Sequence, residues 1–315
     1  MAKKSITCYG ELLIDMISTN TGSLVASKGF LKKFGGAPGN TASGLAKLGI
    51  PASFIGKVGS DPFGLFLKAS LDKYGVNTDR LVMSKTDRTT LAFVSLTATG
   101  ERDFFFFKGA HDAILPTEVS LPDDTFLFHF GSLTQISVNA NKTTEKLIAE
   151  ARKQGSILSY DPNVRESLWG DLHRARLIIL DTAKLVHNLK VNTEESELLT
   201  GKKSVKEAAE ALFTPNLDIV VVTMGSEGCY YKTANYEGQI PCIDVNVVDT
   251  TGAGDAFNAG FISGLYQHQK RANELNKDEL EGILRRATVI GSLTTTKKGA
   301  VSAFPTKKEI ALHLK

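Results

Sequence analysis

The chain has 315 residues, of which 42% are hydrophobic, 23% charged and 8% aromatic. These values are ordinary for a globular protein and exclude disordered, collagen-like and coiled-coil classes. Lys and Arg number 37 against 34 Asp and Glu, a net charge of +3 that is too balanced for nucleic-acid binding by bulk electrostatics.

Residues 6–9 read as a first strand, followed by a polar stretch, 12–34, that holds Gly22 and Gly29. A helix over 40–48 ends at Gly49, and 52–55 reads as the next strand. Phe63, Phe66, Leu67, Leu71 and Tyr74 fall on one helical face. Residues 89–107 alternate Leu91, Phe93 and Ser95 and end on four consecutive phenylalanines. A helix over 144–153 ends at Gly155, and strands follow at Ile157–Tyr160 and 185–191. Ile219–Thr223 is almost uninterruptedly apolar, as a strand buried on both faces must be.

This βαβ alternation predicts an α/β fold, one domain over 1–315 with a mostly parallel central sheet and helices on both faces. The segments at about 12–34 and 89–108 break the rhythm. They read as antiparallel strands inserted as a small β lid. Three cysteines without C-x-x-C or Cys/His spacing support neither a disulfide framework nor a zinc site. No run of 18 apolar residues is present to span a membrane, and no membrane partner is expected. Glu11 and Asp15 interrupt the apolar stretch behind Lys3-Lys4, which does not make a signal peptide, so a cytoplasmic location is expected. The six histidines are scattered, and His129, inside an apolar run, reads as a core residue.

Val248-Asp249-Thr250-Thr251-Gly252-Ala253-Gly254-Asp255-Ala256-Phe257 is the most informative segment. A β-branched run leads into a Gly-x-Gly turn, behind which Phe257, Gly260, Phe261, Gly264 and Leu265 recur at helical spacing. The glycines leave N–H groups free at a helix N-terminus, which is an anion site. A carboxylate at that end repels a phosphate unless it must take a proton from a hydroxyl beside it. Asp255 is therefore either such a base or a helix N-cap. No third glycine follows at dinucleotide spacing, so a nicotinamide fingerprint fails. A second motif, Gly35-Gly36-Ala37-Pro38-Gly39-Asn40, would let a polyol approach the backbone, with Asn40 offering a donor and an acceptor or else capping a helix.

Together these two segments resemble the signature patterns of the ribokinase-like (PfkB) carbohydrate kinases. Asn192-x-x-Glu195 is similar to that family's NxxE motif, and Thr223-Met224-Gly225-Ser226-Glu227-Gly228 to its nucleotide loop. Gly10-Glu11-Leu12-Leu13-Ile14-Asp15, Phe54-Ile55-Gly56-Lys57-Val58-Gly59, Arg88-Thr89-Thr90-Leu91-Ala92-Phe93-Val94 and Tyr160-Asp161-Pro162-Asn163-Val164-Arg165 most resemble the fructokinase branch. The motifs run in the family's order over nearly the whole chain.

The resemblance implies a ribokinase-like α/β/α sandwich that moves the γ-phosphoryl group of ATP to a sugar CH2OH, fructose giving fructose 6-phosphate. Asp255 would be the general base, with Gly252, Ala253 and Gly254 as the anion hole. Asp15, Gly35, Gly36, Asn40 and Arg165 would meet the sugar, joined from the lid by Arg102, Phe106 and Lys108. Asn192, Thr223, Gly225, Gly228, Gly252 and Gly254 would line the nucleotide. Asn192 and Glu195 would act on Mg2+ largely through water, and the backbone at Asp249, Thr251 and Gly299 would hold K+. The lid phenylalanines would expose an apolar face in the empty enzyme, which suits a homodimer through the lid. A 2-keto-3-deoxygluconate kinase shares the Asp-Pro-Asn-x-Arg segment and is the alternative, although relatives often carry Arg at Lys108 and acid-sugar kinases Tyr near Phe106. A catalytically idle relative is the alternative of another class.

Overall fold

Short β-branched runs and the amphipathic segments between them build two sheets and the helices that cover the larger one. The structure, a computed structural model, describes residues 4–96 and 102–314, with the side chains of Leu96, Arg102 and Asp103 outside the description. The strands are β1 (Ser5–Tyr9), β2 (Leu13–Ser18), β3 (Phe30–Gly35), β4 (Ala52–Gly59), β5 (Leu81–Ser84), β6 (Leu91–Leu96) and β7 (Arg102–Phe107). They continue as β8 (Thr125–Phe130), β9 (Ile157–Tyr160), β10 (Asn188–Asn192), β11 (Ile219–Thr223), β12 (Cys229–Lys232) and β13 (Glu237–Ile240). The helices are α1 (Ala37–Lys47), α2 (Pro62–Tyr74), α3 (Val138–Gln154), α4 (Glu166–Trp169) and α5 (Leu172–Ala183). After them come α6 (Thr193–Thr200), α7 (Val205–Leu212), α8 (Ala253–His268), α9 (Lys277–Thr294) and α10 (Lys307–Leu312).

The main sheet has nine strands in the order β13-β12-β11-β10-β9-β8-β1-β4-β5. It is parallel except where β12 and β13 join antiparallel at one edge. Both faces are buried: along β11, Ile219 and Val221 enter one core, with α1, α2, α8 and α9, while Val220 and Val222 enter the other, with α3, α5, α6 and α7. The uninterrupted apolar run predicted this double burial.

The two inserted segments form a separate sheet ordered β3-β2-β6-β7. Its β2–β3 and β6–β7 pairs are antiparallel, but β2 and β6 run parallel, against the expectation of antiparallel pairing throughout. Each leaves the main body in the same direction, with the Ile14 N–H donating to the Thr90 carbonyl at 3.1 Å where they set out. Alternation splits the phenylalanine run. Phe105 and Phe107 join Phe93 and Phe30 in an edge-to-face aromatic row, whereas Phe106 turns to the other face and meets His111.

Several element boundaries differ from expectation, among them the helix expected over 144–153, which starts six residues earlier at Val138 because Ser137 caps it. The helix expected at 40–48 begins at Ala37, because Pro38 suits a first turn and Gly36 takes the cap. The strand at 52–55 continues to Gly59. That at 185–191 starts only at Asn188, because the Leu185 N–H turns back to the Thr182 carbonyl. The cysteines are free, as expected, and His129 is buried beside Ser159. No helix among the described residues is long and apolar enough to cross a membrane.

Candidate active site

The site lies at the carboxyl ends of β1, β9, β10 and β11, where open parallel sheets hold ligands. Helix α8 supplies its centre. Gly252 caps it in the left-handed region, φ 79°, and a Cβ there would stand 2.6 Å from that of Ala300, so only glycine makes this turn. The preceding segment is not a strand: the Val248 and Asp249 N–H groups donate to the Thr295 carbonyl at the end of α9. The Ala253 N–H turns back to the Thr250 carbonyl at 3.2 Å. Of the three residues expected to hold an anion, Ala253 is thus occupied by the turn itself.

Asp255 occupies the third position of α8 and is not its cap. Its carboxylate is buried, 6% exposed, and accepts a 2.8 Å hydrogen bond from Asn40 Nδ2. Close packing of α1 on α8 sets this contact: a Cβ on Gly44 would lie 2.9 Å from that of Ala259. One turn earlier on each helix, Asn40 meets Asp255. Asn40 is therefore not a helix cap either, and its Oδ1 is buried without a partner among the described residues. Burial pushes the Asp255 carboxyl up to about 6; Asp161 adds to the rise, while Asn40, Lys190 and Arg165 oppose it. A carboxylate so tuned is poised to accept a proton near neutral pH.

Several of the expected sugar contacts lie on or beside the small sheet. Asp15, Ala92 and Phe106 are direct neighbours across β2, β6 and β7 and share one face. The Asp15 carboxylate packs over Gly35, where a Cβ would overlap it, and Gly36 leads straight into α1. Lys108 is exposed and paired with Asp112 at 3.8 Å. Arg102 lies on β7, with its side chain outside the description. Arg165 is exposed at the start of α4, near enough in charge to depress both Asp255 and Glu11.

Of the residues expected to line the nucleotide, Asn192 and Thr223 end adjacent parallel strands and are paired in register. Gly225 and Gly228 bound a tight turn after β11, closed by the Met224 N–H on the Gly228 carbonyl at 2.8 Å. Asn192 and Glu195 form a capping box on α6, and Glu195 Oε1 also accepts from the Val164 N–H at 2.7 Å. Glu195 is buried in this helix start, whereas Glu194 is exposed. Burial and the nearby Asp161 raise the Glu195 pKa. No group of three or more His, Cys, Asp or Glu side chains among the described residues could cage a metal. Buried carboxylates already bonded to backbone N–H groups fit a magnesium ion carried on phosphate oxygens and reached through water. Asp249 gathers the expected monovalent-cation residues: its side chain accepts from Thr251 at 2.7 and 3.0 Å and from the Gly299 N–H at 2.8 Å.

Four residues of this site carry no role in the sequence reading. Asp161 accepts from Lys190 Nζ at 2.9 Å and from Asn258 Nδ2 at 2.7 Å, all three buried. Glu11 is buried, accepts from the Ala37 N–H at 2.9 Å, and has its carboxyl pushed up to about 7 by burial, with Asp255 adding to the rise. Signals existed: Lys190 interrupts an apolar strand, Asn258 follows Asp255 by one helical turn, and Asp161 and Glu11 fall inside quoted motifs. With His129, Ser132 and Asn163, the residues Glu11, Asp161 and Asn258 line a cavity of about 10 Å3, room for one water.

A glycine-capped helix N-terminus with a buried carboxylate in its first turn, bonded to Asn40 of a neighbouring helix, is an arrangement that suits phosphoryl transfer to an alcohol. Comparison with known proteins agrees. The model of the "pfkB family carbohydrate kinase" matches residues 3–307, and the chain belongs to this family. The chain is 40% identical over 319 residues to "Probable fructokinase-2" of Arabidopsis thaliana, covering 99% of this chain and 96% of that one. It superposes on the crystal structure of fructokinase with bound ATP from Xylella fastidiosa with a TM-score of 0.90 at 30% identity, covering 99% and 98% of the two chains. A fructokinase double mutant from Vibrio cholerae O395, in a fructose, ADP and potassium ion bound form, gives a TM-score of 0.90 at 27% identity over 99% of each chain.

Proposed function

We propose that this carbohydrate kinase transfers the γ-phosphoryl group of ATP to fructose, giving fructose 6-phosphate and ADP. The observation that carries this reading is the buried Asp255 carboxylate in the first turn of α8, held by Asn40 of α1, the helix that follows the Gly35-Gly36 turn on which Asp15 packs. Fructokinases that bind ATP, or fructose with ADP, share the fold over the whole chain. Asp255 takes the proton of the sugar hydroxyl as its oxygen forms a bond to the γ-phosphorus. The bond from that phosphorus to the β,γ-bridging oxygen breaks, and ADP leaves. The N–H groups of Gly252 and Gly254 face the charge that spreads over the transferred group. Bound Mg2+ would neutralise phosphate charge, with Asn192 and Glu195 orienting its water shell. Asp249, Thr251 and Gly299 would place backbone carbonyls around K+.

The small sheet acts in this reading as a lid that closes when sugar binds and excludes water from the γ-phosphoryl group. Phe105 and Phe107, 54 and 55% exposed, stand on one side of the small sheet, an apolar face that a second subunit would cover in a homodimer. A cytoplasmic enzyme would find its ATP there. The test is a coupled ADP-release assay over fructose, glucose, mannose and 2-keto-3-deoxygluconate. Fructose is expected to give the highest kcat/KM. Preference for the keto-acid would replace this reading by the acid-sugar kinase, and no turnover on any sugar would favour an idle relative.

A further inference from the structure

Lys190 is the one lysine of the site whose charge is buried, and nothing in the proton transfer above uses it. It rises from β10 beneath the first turn of α8, and a Cβ on Gly254 would lie 3.1 Å from its Nζ. The missing side chain of Gly254 is thus where the ammonium fits. Asp161 holds it from the other side at 2.9 Å and is itself held at 2.7 Å by Asn258, one turn along α8 from Asp255. We propose that Lys190 is a positioning residue for the phosphoryl transfer: lodged under Gly254 and anchored by Asp161, its ammonium balances the charge of Asp255 and of the anion docked at the first turn of α8. The inference rests on Asp255 being the base.

The two partners act on that base in opposite senses. Lys190 favours the Asp255 carboxylate and Asp161 disfavours it. Burial works against the Lys190 charge, but Asp161, Glu195 and Asp255 more than offset this and hold its pKa above the ordinary value. The other charged groups facing Asp255 are Glu11, from the turn after β1, and Arg165, from the turn after β9. His129 on β8 faces the Asp161–Lys190 pair and stays neutral, its pKa pushed down to about 4 by burial. A pair that merely held the fold together would weaken in the same way whichever partner were removed. A pair that tunes Asp255 would not.

The experiment compares Lys190→Met, Lys190→Arg, Asp161→Asn and Asp255→Asn. The readouts are kcat/KM for fructose against pH, the Asp255 carboxyl titration by 13C NMR in the free proteins, and thermal melting. Asp161→Asn, which keeps the lysine, is expected to move the acid limb and the carboxyl titration to lower pH. Lys190→Met is expected to move both to higher pH and to lower kcat by at least about tenfold, with the larger loss at pH 6 than at pH 8. Lys190→Arg should restore the limb. Unmoved titrations, or shifts of the same sign in Asp161→Asn and Lys190→Met, overturn the proposal. If Lys190→Met does not fold, the direction of the Asp161→Asn shift decides alone. Normal turnover by Asp255→Asn would instead remove the base assignment, a failure distinct from an unresponsive pH profile in an enzyme that does need Asp255.

Discussion

Replacing Asp255 by Asn separates what the carboxylate does for chemistry from what it costs the fold. The side chain is buried, and burial raises its pKa from 3.8 to about 6. Below pH 4 it is protonated in both folded and unfolded chains and contributes no difference. Between pH 4 and 6 the unfolded chain ionises first, so stability falls. Above pH 6 the penalty is constant, on the order of 3 kcal/mol. The neutral amide avoids it and keeps the Asn40 contact, because its carbonyl oxygen can still accept from Asn40 Nδ2. Its own NH2 can donate to Asn40 Oδ1, which now has no partner among the described residues. Asp255→Asn is therefore expected to be more stable than the natural protein at pH 8, with the gain vanishing by pH 4. Turnover should fall roughly 10²–10⁴-fold, the range for losing a general base. Urea melts across pH 4–8 and a coupled ADP-release assay read the two effects. A variant less stable at pH 8, or one with near-normal turnover, would refute the reasoning.

Gly254→Val would press on the Lys190 ammonium and is expected to cut turnover while leaving far-UV circular dichroism unchanged; normal turnover would place the anion hole elsewhere. Asp249→Ala should loosen Thr251 and Gly299, so that stimulation by K+ over choline chloride, read in the same assay, is lost. Added fructose should slow hydrogen exchange in β2, β3, β6 and β7 and leave Ile219–Thr223 unaffected. Equal exchange with and without sugar would mean that the small sheet is static scaffold.

The order of elements was legible because each signal was local. Ile219–Thr223 is apolar at every position that a doubly covered strand requires, and Gly49 and Gly155 end helices where expected. The motif around Asp255 was legible for the same reason, since a Gly-x-Gly turn before a helical apolar face needs no distant partner to be recognised. Whether Asp255 and Asn40 were caps or site residues was not legible. That depended on Gly36 and Gly252 taking the caps and on the spacing of α1 from α8.

What the sequence determined by itself is the alternating strand and helix pattern, the two inserted segments and the glycine turns. These follow from side-chain shape, backbone freedom and periodicity within a few residues. The tertiary structure alone decided the parallel pairing of β2 with β6, which depends on the direction in which two segments leave the main body. It also decided the cluster of Glu11, Asp161, Lys190 and Asn258 around Asp255. Those four are separated by up to 247 positions in the chain, and a buried charge can be recognised as tolerable, and as useful, only once its opposite charge is seen beside it.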